Sequence, residues 1–161
     1  MKIEVSNGEI IDKYTILEIK LNKIKDANKI INIQHEFNTL TPDVNAIYSA
    51  CEDSVKLKKL HKNLLEVNKK LWKIEDDIRE CERANDFGQL FIDLARAVYY
   101  VNDDRSDVKK EINVFTGSDL VERNLMKNIN LNRMKNIFLL FLLLISLTAC
   151  KSTFVIPSFR F

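Results

Sequence analysis

The sequence predicts an all-α protein: a long antiparallel, coiled-coil-like helical hairpin at about 55–116, packed with an N-terminal helix. Three observations carry this prediction. Leu57, Leu60, Leu64, Val67, Leu71, Ile74, Ile78 and Cys81 follow one another in alternating steps of three and four, and so do Phe91, Leu94, Val98, Val101, Arg105, Val108, Ile112 and Phe115. Seams with a 3.5-residue period mark helices packed side by side. Folding the chain back around Asp86 then pairs the two runs into eight layers, from Cys81 with Phe91 to Leu57 with Phe115. Glycine and proline number only three and two in 161 residues, while 30% are charged, which is a helical composition.

The elements follow in order. Ser6-Asn7-Gly8-Glu9 has the form of a capping box, in which Ser6 accepts from the Glu9 N–H and Glu9 reaches back. Val5 and Ile10 stand where a hydrophobic staple would be. The helix they open carries a stripe at Ile10, Tyr14, Leu17, Leu21 and Ile24, suited to covering the hairpin seam. Near 26–28 the pattern changes phase, and a second helix carries Ile30, Ile33, Phe37 and Leu40. Thr41-Pro42 is expected to end it and start the next, with Thr as N-cap and Pro at the first helical position. Residues 43–54 read as a short helix or an irregular lead-in. Asp86 and Gln89 start the second hairpin arm, Gly88 loosens the turn, and Gly117 caps the arm's end.

Charge is matched along the hairpin. Lys56, Lys58, Lys59 and Lys62 open the first arm, and Asp103, Asp104, Asp107 and Glu111 lie at the far end of the second. Nearer the loop, Asp76 falls level with Arg96 and Arg79 with Asp93, so these four are expected to form interhelical ion pairs that fix register.

Composition bounds function. Residues 1–125 hold 20 basic and 23 acidic side chains, which argues against a nucleic-acid footprint. Three cysteines cannot close a disulfide set, and Cys51 and Cys81 sit in helical patterns, which fits a reducing, cytoplasmic compartment for the helical domain. The sequence has no glycine-rich phosphate loop, no Ser/His/Asp set and no paired-cysteine zinc pattern, so neither a cofactor nor a metal is expected. Glu75-Asp76-Asp77 points three carboxylates in different directions along a helix, and His35 and His61 show no ligand spacing.

One seam residue breaks the apolar rule, because Arg105 faces Val67. A guanidinium there needs partners, since an unpaired buried charge costs several kcal/mol. Two readings stand. In the first, Arg105 is a structural ion pair with Glu75 or with an acid on the first helix. In the second, Arg105 clamps a carboxylate or phosphate, with Asn102 and Asn68 as neutral donors, Trp72 or Tyr99 as the apolar wall and Glu75 nearby. The second reading would make this a small-anion-binding or enzymatic bundle. The first leaves a helical interaction or accessory protein with a protein partner. A third possibility is self-association through Leu65, Trp72, Ile92 and Tyr99.

The chain changes character after the hairpin. A helical domain at 1–122 is followed by a basic polar linker at 123–136, an apolar segment at 137–150 and a short tail at 151–161. From Met134 the sequence resembles a bacterial lipoprotein signal peptide: Met134-Lys135-Asn136, an apolar run, then Leu147-Thr148-Ala149-Cys150 as a lipobox. The 13-residue run at 137–149 is shorter than the roughly 20 needed to cross a bilayer core. It reads as a fused start of a neighbouring reading frame or as a short C-terminal membrane anchor. Either way it brings membrane contact.

Two groups of residues carry a family resemblance. The first is Ser6-Asn7-Gly8-Glu9 with Asp12-Lys13 and Thr15-Ile16-Leu17-Glu18-Ile19-Lys20. The second is Leu71-Trp72, Glu75-Asp76, Arg79, Asn102-Asp103 and Arg105. Together they resemble a small bacterial domain-of-unknown-function family over about residues 2–122. Members of that family occur with genes for surface polysaccharide or lipopolysaccharide synthesis. The resemblance implies an accessory role there and transfers no catalytic residue.

Overall fold

The computed structural model describes residues 3–121, so the linker, the apolar segment at 137–150 and the lipobox-like Leu147–Cys150 lie outside the described residues. Residues 1–123 form one compact unit. Within it lie four helices: α1 (Asn7–Lys23), α2 (Ala27–Ala50), α3 (Ser54–Ala84) and α4 (Gln89–Phe115). No strand is present among the described residues.

α3 and α4 are the two arms of the hairpin. At 31 and 27 residues they are roughly 46 and 40 Å long. Their seam forms two apolar clusters. At the open end Leu57, Leu60, Leu64 and Ile112 pack with Ile11 of α1 and Ile47 of α2, joined by Val108 and Phe115. Toward the loop Leu71, Ile74 and Val101 pack with Val67, Ile78, Leu94 and Val98. These are the partners the layered seam predicts. Leu57, Leu64 and Ile112 are fully buried, each contributing about 1.5–3 kcal/mol.

The turn between the arms differs in detail from the expectation. α3 closes with Asn85 in the left-handed region at φ 52°, where a short polar side chain is tolerated. The Asp86 N–H donates to the Cys81 carbonyl at 2.9 Å, and the Asn85 N–H to that of Glu82 at 3.2 Å. Gly88, and not Asp86, is the N-cap of α4; Asp86 instead accepts from the Gly88 N–H at 3.0 Å within the turn. At the other end Gly117, at φ 61°, gives α4 a Schellman closure, with Ser118 N–H on the Asn113 carbonyl and Gly117 N–H on that of Val114.

α1 packs against all three other helices, whereas α2 and α3 meet only slightly. The apolar stripe anticipated for α1 is therefore incomplete. Leu17 is fully buried as expected, but Ile10, Tyr14, Leu21 and Ile24 are only partly covered. The innermost face is Ile11, Asp12, Thr15 and Ile19. Two faces are in use: Ile11 joins the hairpin core, while Tyr14 stacks on Phe37 of α2 at 4.2 Å between ring centroids.

Pro42 corrects another expectation. α2 does not end at Thr41-Pro42 but runs through it as one 24-residue helix. Pro42 lies on the exposed face, where the carbonyl that loses its N–H partner can turn to water. Thr41 lends support by donating its hydroxyl to the Phe37 carbonyl at 2.8 Å. Val44 and Ile47 on the far side of the proline are buried, and that burial holds the second half of the helix in line.

The register pairs are also corrected. Arg79 does not reach Asp93; it donates to Asp76 at 2.9 Å and to Glu75 at 3.1 Å on its own helix. Asp76 is thereby taken from Arg96, and Asp93 accepts from Gln89 at 2.9 Å. Three- and four-residue spacings bring charges together at no cost in register, so local pairs win over cross-helix ones on an exposed surface.

Candidate functional site

The base of the bundle is built by the Ser6–Glu9 motif. Ser6 caps α1 by accepting from the Glu9 N–H at 3.3 Å. Asn7 donates its side-chain amide to Thr116 Oγ1 at 3.0 Å and its backbone N–H to Ser118 Oγ at 3.1 Å. Gly8 donates its N–H to Asn113 Oδ1 at 2.6 Å. A Cβ on Gly8 would sit 2.6 Å from the Lys109 carbonyl oxygen, so only glycine lets α1 approach α4 this closely. Glu9 completes the set by pairing with Lys109. The motif is thus a docking device that seats the start of α1 on the end of α4. Sequence reasoning identified its cap but not the contacts with α4, because those partners lie more than 100 positions away.

One turn further along α1, Asp12 meets Arg105. The guanidinium Nε donates to Asp12 Oδ1 at 2.8 Å, and a terminal nitrogen engages Oδ2, making a bidentate pair. Asp12 is 2% exposed and the Arg105 side chain 27%. Asn68 donates to both Asp12 Oδ1 and Thr15 Oγ1 at 2.8 Å, and the Thr15 hydroxyl donates to the Asp12 carbonyl at 2.8 Å. Hydrogen bonding to Asp12 raises the Arg105 pKa, and the charges of Asp12, Glu9 and Glu75 add to that effect against burial. The acceptor capacity of the buried carboxylate is directed at protein donors. Arg105 is bonded to an acid on the first helix.

The other residues expected around Arg105 are dispersed. Asn68 is part of the network, but Asn102 and Tyr99 are exposed on α4. Glu75 is exposed and bonded to Arg79. Trp72 lies on a different surface, in a groove between α1 and α3 with a volume of about 750 Å3. Ile19, Leu65 and Trp72 supply its apolar lining, and Glu18, Lys23, Lys69, Lys73, Asp76 and Asp77 are the charged groups along it. Of the four residues proposed for self-association, Leu65 and Trp72 line this groove, while Ile92 and Tyr99 are exposed on α4.

His61 shows no ligand spacing in the sequence, and the fold gives it neighbours from other helices. Its Nδ1 lies 3.0 Å from the Tyr48 hydroxyl, and its Nε2 is 4.0 Å from Glu18, beyond hydrogen-bonding distance. Tyr14 meets the ring edge-on at 6.0 Å. Burial lowers the imidazole pKa, which favours the neutral ring, and that ring shares one hydrogen bond with the Tyr48 hydroxyl through Nδ1. Burial also raises Glu18, opposed by Lys69, and raises Tyr48, with Glu18 and Cys51 adding to it. These residues lie on three helices at unrelated spacings, so no local sequence signal connects them. Among the described residues no three His, Cys, Asp or Glu side chains converge on a metal position, and no helix is long and apolar enough to cross a membrane.

No curated protein and no solved structure matches the chain. A family described as a family of unknown function (DUF6165) matches residues 1–133, extending past the 122 limit that the motifs suggested. The match ends one residue before Met134, where the lipoprotein-signal-like stretch opens. It takes in all four helices, the Ser6–Glu9 docking motif and the Asp12–Arg105 pair, and the chain belongs to this family of unknown function.

Proposed function

We propose that this chain is a helical accessory protein that works by surface recognition of a protein partner, in the service of cell-envelope polysaccharide synthesis. The observation that carries the recognition half is the closed Asp12–Arg105 pair, whose buried carboxylate already occupies the guanidinium in bidentate fashion. An arginine so engaged has its charge met by a protein carboxylate and its Nε–Nη2 edge occupied, which favours a structural role over a substrate clamp. The α1–α3 groove around Trp72 offers a surface for such recognition. The polysaccharide half is supported by the resemblance of the Ser6–Lys20 and Leu71–Arg105 motifs to proteins found beside such genes. In this reading the helical domain is cytoplasmic, with membrane contact through 137–150.

A thermal-shift screen tests the recognition half. The full chain in non-ionic detergent is melted with nucleotides, nucleotide sugars, small dicarboxylates and divalent metals, beside Arg105→Lys and Arg105→Leu. A bound ligand raises the melting temperature by mass action. The expected result is no shift that depends on Arg105. A small molecule that stabilises the native chain but not a folded Arg105→Lys variant would make this an anion-binding bundle instead. Deleting the gene in its bacterium and measuring surface polysaccharide tests the other half; unchanged polysaccharide removes that assignment.

A further inference from the structure

The α1–α3 groove has a definite relation to the rest of the bundle. At the base, the valley between α1 and the hairpin is filled by α2: Ile47 packs with Ile11, Leu57, Leu60 and Leu64, and Tyr48 bonds to His61. α2 meets α3 only slightly overall, and the lining of the groove from Leu65 to Asp77 comes from α1 and α3 among the described residues. The groove is therefore the continuation of a valley that a helix fills below and leaves open above. Along α3 it runs from Leu65 to Asp77, about 18 Å or some three helical turns.

Its lining has the character of a helix-receiving surface. Ile19, Leu65 and Trp72 form an apolar floor, and charges of both signs run along the rims. Lys69 is paired with Glu66 and Lys73 with Asp77. Lys23, at the end of α1, is exposed and has no ion pair among the described residues. The balanced signs argue against a polyanion, and the Lys23 ammonium calls for an acid at one end of the occupant.

We infer that this groove receives an amphipathic helix of a partner protein. The helix spans about three turns, sets an apolar stripe on Trp72 and Leu65, and places an acidic residue against Lys23. Helix-in-groove docking uses anchors at i, i+3 or i+4, and i+7, and tryptophan is among the residues enriched at energetic anchors. The inference rests on the recognition reading above and names the partner's chemistry.

The test uses a displayed library of 14-residue helix-forming peptides with Leu or Phe at i, i+3, i+4 and i+7 and one terminal acid. The library is selected on the full chain in non-ionic detergent. Selected peptides are expected to lose about 30-fold in affinity for Trp72→Ala, the loss of a single anchor of 2 kcal/mol or more. They are expected to lose a few-fold for Lys23→Glu, an exposed change that leaves the fold intact, and to keep most of their affinity for Trp72→Phe. Peptides indifferent to both Trp72→Ala and Lys23→Glu would place recognition on another face, overturning this inference while the accessory reading stands. Failure to enrich any peptide would overturn it as well. A dimer of the chain that Lys23→Glu dissolves would show a second copy as the occupant and remove the partner helix.

Discussion

At the scale of single residues, the fold concentrates its polar chemistry at two points, Asp12 and His61. Asp12 is the buried end of an ion pair whose other end is partly wet. Removing Arg105 leaves a carboxylate at 2% exposure with the Asn68 amide as its remaining hydrogen-bond donor. Arg105→Leu is expected to cost about 3 kcal/mol, at the low end for a buried pair because water reaches the guanidinium side. Adding Asp12→Asn is expected to return part of that loss, since a neutral amide strands no charge. Urea unfolding of the single and double variants checks this; a single variant as stable as the native chain shows the pair to be dispensable. His61 gives a pH dependence. Its folded pKa is lowered from 6.5 by burial, so the folded state binds fewer protons than the unfolded chain. Its contribution to stability is complete at neutral pH and is lost as pH falls through 6.5 toward the folded value. Glu18, raised from 4.5 by burial, slopes the other way at lower pH. The difference in melting temperature between the native chain and His61→Gln isolates the histidine, and is expected to shrink from pH 7.5 to 5.5. A constant difference would show that the ring is not held neutral.

At the scale of elements, what was legible in the sequence is what is periodic. The eight-layer seam names the hairpin partners because Leu57–Phe115 and Ile74–Val98 obey one spacing on each arm, and packing leaves them no other way to be buried. α1 was half legible, because it buries a polar row, Asp12 and Thr15, that no apolar stripe reports. The Asp76–Arg96 and Arg79–Asp93 pairs were misread because level positions do not decide between a neighbour across the seam and one a turn away. The Glu18–His61–Tyr48 grouping was not legible at all, since three helices supply it. Pro42 shows tertiary packing overriding a local breaker: Val44 and Ile47 are buried beyond it, and their burial outweighs one lost backbone bond. Pro42→Ala is therefore expected to stabilise the bundle by about 1 kcal/mol, restoring the N–H without disturbing the buried face. A thermal melt would show a rise of a few degrees. A fall would mean that the proline's restriction of the unfolded chain matters more than the helix bond.

At the scale of the molecule, the chain joins a compact helical unit, 1–123, to an apolar run whose sequence carries a different message. The four helices close their own seams, cap their own ends and fall within the family match, which stops at Arg133. None of them is a membrane span by length and apolarity. Folding and membrane affinity should therefore separate at one cut. A chain ending at Arg133 keeps every residue of the family match and drops the run at 137–149. It is expected to melt cooperatively within about two degrees of the full chain, because each cluster that unfolding exposes lies in the retained part. It is also expected to leave the membrane pellet, since the 13-residue run holds the longest apolar stretch in the sequence. Sedimentation of both chains with and without phospholipid vesicles separates the possibilities. If the shortened chain still pellets with vesicles, the helical unit itself binds lipid, through exposed apolar side chains such as Phe87 and Leu90 at the hairpin loop. If it loses its cooperative melt, residues beyond Arg133 belong to the core, and the boundary drawn from the family match is in the wrong place.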